Sequence, residues 1–147
     1  MISNQQSAIR NLQSENPSHM FIQRLLLIGV AGLAGTLCRY GLSGFVARRF
    51  GETFPTGTLI VNIVGCFVAG FLFYPLHERL LVSEVVRTAV MIGFLGGFTT
   101  FSSFGLQTFA LFKEGEVFFA LLNVFVSNLV GLACVWVGYA LAKFAWV

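Results

Sequence analysis

Residues 96–104 read GGFTTFSSF: paired glycines, four hydroxyl side chains and three phenylalanines, with no charge among them. The stretch lies inside an apolar run from Val85 to Phe112, longer than the roughly 20 apolar residues that cross a bilayer. A single Ser or Thr in a membrane helix usually bonds back to the carbonyl one turn earlier. Four hydroxyls in five residues, beside the Gly96-Gly97 pair, suggest something less usual and leave room for a break in the helix. Non-helical backbone at membrane depth persists only where protein or water covers it, and freed carbonyls there can hold a cation. In a continuous helix Phe98, Phe101 and Phe104 would share a face. An aromatic ring has a positive edge, so rings presented edge-on favour an anion without a full charge that would trap it. The same spacing also fits rings that face lipid or fill a core, as most of the 17 phenylalanines do. Spacing alone leaves both readings open.

Working outward, the rest of the chain is written for lipid. Of 147 residues, 56% are hydrophobic and 10% charged, against the roughly 25% charged residues of a soluble domain. The length allows one domain. Residues 1–20 form a polar extension, and the apolar run after it has neither the length nor the cleavage site of a signal peptide. Residues 21–147 then form one all-α integral membrane domain of four transmembrane helices. The expected spans run from Phe21 to Ala47, Thr56 to Tyr74 (closed by Pro75), Val85 to Phe112, and Val117 to Phe144.

Lys and Arg in the connecting segments set membrane orientation. With four spans, one side holds Arg10, Arg24, Arg79, Arg87 and Lys143, and the other holds Arg39, Arg48, Arg49 and Lys113. So even a balance gives neither direction an advantage. It allows an antiparallel dimer of identical subunits inserted both ways, and it also allows a single orientation set by other factors. Gly29, Gly32 and Gly35, the pair Gly93 and Gly97, and Gly65 before Ala69 occur at the intervals that let helices approach closely.

Several function classes fall away. The chain has no Asp, and its six Glu lie in the extension, at Glu52 or in the later loops, so no Ser/His/Asp set can form. An enzyme would have to work with hydroxyls and amides alone. Cys38, Cys66 and Cys134 lie in three different apolar runs without disulfide or zinc spacing, and read as small packing residues. No basic stripe exists for a nucleic acid.

Polar side chains within spans are costly and are functional candidates by default. Arg39 stands in GTLCRYG (35–41), and either snorkels to an interface or lines a wet vestibule. Asn62 stands in GTLIVNIVG (57–65) with Thr58 one turn earlier, and its amide can bridge helices or donate to an anion. The third span offers Thr99, Thr100, Ser102, Ser103 and Gln107, and the fourth offers Asn123, Ser127 and Asn128.

Together, GTLCRYG, GTLIVNIVG and GGFTTFSSF closely resemble the Fluc (CrcB-type) fluoride channels, over all four spans from about residue 21 to 145. The resemblance implies a dual-topology homodimer, two antiparallel four-helix subunits with a broken third helix, in the cell (inner) membrane as a multi-pass protein. It implies a fluoride-selective channel that exports the ion passively from the cytoplasm and so lowers its toxicity. Phe101, Phe104, Asn62, Thr58, Ser103, Ser102 and Ser127 are the implied pathway residues, with Arg39 at the vestibule. A structural Na+ at the dimer centre is implied on the backbone carbonyls of Gly96 and Thr99. The sequence departs from the family at Gln107, where Glu is common: Gln can still hydrogen-bond, but it has no charge and cannot take up a proton from HF. Two other readings compete. A small dual-topology multidrug exporter would need a carboxylate embedded in the first span, which is missing. A non-conducting membrane interaction subunit would explain the packing glycines but not the gathered rings and hydroxyls.

Overall fold

The computed structural model describes residues 17–51 and 53–146, and the regular elements among them are all helical. Most of the expected polar extension lies outside the described residues, and the chain is already helical from Pro17. Helix α1 (Pro17–Phe50) carries Arg48 and Arg49 in its last turn, where the helix dipole is negative. Gly51 closes it: its φ of +81° is open to glycine at little cost, and its N–H donates back to the Ala47 carbonyl at 2.9 Å.

Helix α2 (Thr56–Phe73) does not stop at Pro75 as expected. The helical path widens into a π-helical turn, Tyr74–Glu78, closed by the Arg79 N–H on the Tyr74 carbonyl at 3.0 Å. Proline cannot serve the i−4 carbonyl, and a wider turn accommodates it without ending the span.

The third span is assembled from pieces. Helix α3 (Glu84–Thr88) is capped by Ser83 and runs through a π-helical turn, Ala89–Phe94, into the short α4 (Leu95–Phe98). Thr99 (φ −85°, ψ 157°) and Thr100 (φ −149°, ψ 116°) are extended, and α5 (Phe101–Lys113) resumes with the Thr100 hydroxyl as its cap. A tight turn through Gly115, at φ +84°, leads to α6 (Val117–Ala145). Four helical stretches, Met20–Phe50, Thr56–Glu78, Glu84–Lys113 and Val117–Ala145, are long and apolar enough to cross a membrane.

Glycines decide how close these helices come. A Cβ on Gly35 would strike the Phe94 carbonyl, and one on Gly93 would lie 2.8 Å from the Ile28 carbonyl oxygen. These contacts, with Gly97 on Gly32, press α1 against the third span. Gly70 and Gly138 do the same for α2 and α6, facing the carbonyls of Val135 and Phe67. Between apolar helices in lipid, association rests on close packing rather than on a hydrophobic driving force. Gly138→Ala should therefore cost about 1–3 kcal/mol of stability, as overpacking does. A thermal unfolding scan in detergent checks this, with Gly44→Ala, where an added Cβ meets nothing within 4 Å inside α1, expected to show no loss of stability.

Candidate functional site

The two extended residues are held by a side chain from the neighbouring helix. Asn62 Nδ2 donates to the Thr100 carbonyl at 3.0 Å, and the Thr100 N–H donates to Asn62 Oδ1 at 2.9 Å. The amide thus replaces the strand or helix partner that extended backbone at this depth would otherwise lack. On the other side, Arg39 Nε donates to the Gly97 carbonyl at 3.1 Å, with the Thr36 hydroxyl at 3.5 Å from the same oxygen.

These bonds redirect the helical ladder. The Thr100 N–H, which would close a turn on the Gly96 carbonyl, serves Asn62 instead. The Ser103 N–H, which would serve the Thr99 carbonyl, donates to Thr100 Oγ1 at 3.2 Å. Gly96 and Thr99 therefore present carbonyls whose usual helical donors are engaged elsewhere. Such oxygens suit a hard cation. The Thr99 hydroxyl takes the ordinary course and donates to the Leu95 carbonyl at 2.9 Å.

Two hollows flank the extended pair, and Thr100 lines both. The first, about 410 Å³, is lined by Arg39, Arg48, Thr58, Ser103 and Gln107 among others. The second, about 430 Å³, is lined by Asn62, Gly96, Thr99, Phe101, Phe104 and Ser127 among others. No described carboxylate lines either. A charge-lined cleft with low-dielectric walls concentrates ions of opposite sign. In the first hollow, lined by Arg39 and Arg48, the sign favours anions.

The phenylalanines divide. Phe101 and Phe104 lie with ring centroids 5.4 Å apart at 43°. Phe98 does not join them. The extended pair turns it away, and it is buried, stacked on Phe94 at 6.0 Å. A shared face for all three required an unbroken helix, and the backbone is not one. Ser103 accepts from the Thr100 hydroxyl at 3.0 Å, whereas Ser102 is exposed and lines neither hollow. Gln107 reaches the first hollow, and among the described residues nothing pairs with its buried Oε1.

A hydrogen-bonded chain joins the second hollow to the packed interior. The Ser127 hydroxyl donates to Asn123 Oδ1 at 3.4 Å, Asn123 Nδ2 donates to the Thr108 hydroxyl at 2.8 Å, and Thr108 donates to the Phe104 carbonyl at 2.8 Å. Asn123 is 2% exposed, and a buried amide is tolerable because both its ends are bonded. The sequence marked Asn123 and Ser127 but missed Thr108. Its one signal was a position four residues after Phe104, the spacing at which a hydroxyl bonds back along a helix. Asn128 bonds back to the Val124 carbonyl at 2.7 Å.

The profile of CrcB-like proteins (camphor resistance, CrcB) matches residues 26–139. The chain is 43% identical over 122 residues to the fluoride-specific ion channel FluC of Citrifermentans bemidjiense, covering 83% of this chain and 98% of that one. It is 45% identical over 123 residues to the protein of the same name from Geotalea daltonii, covering 84% and 99%. With that of Geobacter sp. strain M21 the identity is 42% over 122 residues, covering 83% and 98%.

Proposed function

Because this chain belongs to the CrcB-like family, we propose that it is a fluoride-specific channel through which the anion leaves the cytoplasm passively. It is a multi-pass membrane protein with four spans. The observation that carries the reading is the pair of hollows that share Thr100 in their linings, lined among the described residues by basic, hydroxyl, amide and aromatic groups without a carboxylate.

In this mechanism Arg39 and the hydroxyls of Thr58 and Ser103 receive the ion and take over part of its hydration. The edges of the Phe101 and Phe104 rings then offer weak, repeated attraction, and Ser127 supplies a hydroxyl further along. No single group binds tightly, so the ion can leave as well as enter. Fluoride entering acidified cells as HF is trapped as the anion, and an inside-negative potential drives it out through a passive route.

The proposed assembly is an antiparallel homodimer with a broken third helix in each subunit. Its support is the even distribution of Lys and Arg between the two sides and the 81% exposure of Phe101 in the single chain. A pathway ring so exposed needs a second subunit to cover it. Na+ is the proposed resident cation. The diversion of the Thr100 and Ser103 amides away from the Gly96 and Thr99 carbonyls supports a site on those oxygens, where a bound ion would supply a fixed positive charge. Gln107 keeps hydrogen-bonding capacity at the first hollow but can take no proton from HF.

Ion efflux from proteoliposomes tests the function. Fluoride should leave rapidly, read by electrode, while chloride is retained. Retention of both ions by a correctly assembled protein would sink the proposal. Protection of cells against quaternary ammonium dyes would revive the exporter reading.

A further inference from the structure

Arg48 and Arg49 are consecutive, both exposed, and both in the last turn of α1. Only Arg48 lines the first hollow, with Arg39, Thr58, Ser103 and Gln107. Arg39 sits nine residues earlier, roughly 13 Å along the helix axis, and is half-buried with its Nε engaged by the Gly97 carbonyl. The two arginines therefore differ in what they can do. Arg39 is tied to the Gly97 carbonyl of α4, while Arg48 brings an exposed charge to the same hollow from the last turn of α1.

Resting on the channel reading above, we propose that Arg48 is an entrance residue that sets how fast fluoride is captured into the first hollow. Its charge raises the local anion concentration at a mouth with low-dielectric walls. It does not contact the ion in the narrow part of the path. Three properties follow. The effect belongs to charge rather than shape, it acts on capture rather than on selectivity, and salt screens it. The screening length is roughly 30 Å at 0.01 M and 3 Å at 1 M ionic strength, so the charge reaches across the mouth only in dilute salt. Arg49 serves as the built-in control. It carries the same charge in the same helical turn, with the same relation to the helix dipole, but does not line the hollow.

Fluoride efflux is measured from vesicles of neutral lipid, in 10 mM and in 1 M background of an impermeant salt. Four proteins are compared: wild type, Arg48→Gln, Arg48→Lys and Arg49→Gln. Arg48→Gln should slow efflux on the order of 3-fold in dilute salt and match the wild type in concentrated salt. Arg48→Lys should restore the rate, and Arg49→Gln, whose charge lies farther from the hollow, should slow it clearly less than Arg48→Gln does in dilute salt and not at all in concentrated salt. Fluoride-over-chloride selectivity should be the same in all four. Equal slowing by Arg48→Gln and Arg49→Gln would reduce the effect to general surface charge and overturn the inference. So would a loss in Arg48→Gln that persists in concentrated salt, or one that lysine does not repair. A wild-type protein that passes no fluoride at either salt overturns the channel reading itself, and the inference with it.

Discussion

Asn62→Asp is expected to abolish fluoride efflux. The Asn62 amide both donates to the Thr100 carbonyl and accepts from the Thr100 N–H. An ionised carboxylate keeps the accepting role but turns an oxygen toward the Thr100 carbonyl, where two acceptors repel. Losing a buried hydrogen bond costs about 1–3 kcal/mol, and a charged group left imperfectly paired costs more. The new negative charge also lines the second hollow beside Phe101 and Phe104, opposing any anion that reaches it. The two penalties act on the same step, and together they should lower flux by ~1000-fold or more. Asn62→Ala separates them, since it removes the bridge without adding charge. Its flux should lie between those of wild type and Asn62→Asp. If Asn62→Asp conducts like the wild type, Asn62 neither lines the path nor holds it open. Size-exclusion profiles of the variants guard against reading misfolding as block.

Phe101→Ile and Phe104→Ile carry the second large effect. Isoleucine roughly preserves apolar bulk but removes the ring quadrupole. If ring edges hold the anion, each substitution removes an interaction comparable to a desolvated ion–ring contact, about 2 kcal/mol or some 30-fold in rate. The two rings tilt toward each other 5.4 Å apart, so a double substitution should lose more than either single one. Phe98→Ile is the internal comparison, because Phe98 packs on Phe94 outside both hollows. It should leave the fluoride rate near that of the wild type. Unchanged flux in both Phe101→Ile and Phe104→Ile would remove the ring-edge mechanism and leave hydroxyls and amides to carry the ion.

The prediction at Gly138 rests on a different part of the molecule. That glycine and Gly70 set the α2–α6 approach through carbonyl contacts, at a distance from the hydrogen bonds around Thr100. Stability and conduction should therefore be separable: Gly138→Ala alters the first chiefly, and Asn62→Asp the second.

The sequence by itself determined the membrane-spanning class and the four helical spans. Both depend on local chemistry: runs of apolar residues matched to bilayer thickness. It also singled out Arg39, Thr58, Asn62, Ser103 and Ser127 as polar groups within apolar runs, where such a group is costly enough to stand out, but not Thr36, Ser43 or Arg48, which line the first hollow as well. Tertiary structure alone decided which groups each of them meets. Nothing in GTLIVNIVG says that the Asn62 amide will clasp the backbone of Thr100, 38 positions later. Phe98 could not be separated from Phe101 and Phe104 by spacing, since one pair of extended residues was enough to turn it away. Thr108 was invisible as a partner of Asn123 until α5 and α6 were placed side by side. The division has one physical cause. Hydropathy is carried by each residue alone, whereas a hydrogen bond needs two groups within about 3 Å, and in a bundle the second group comes from another helix.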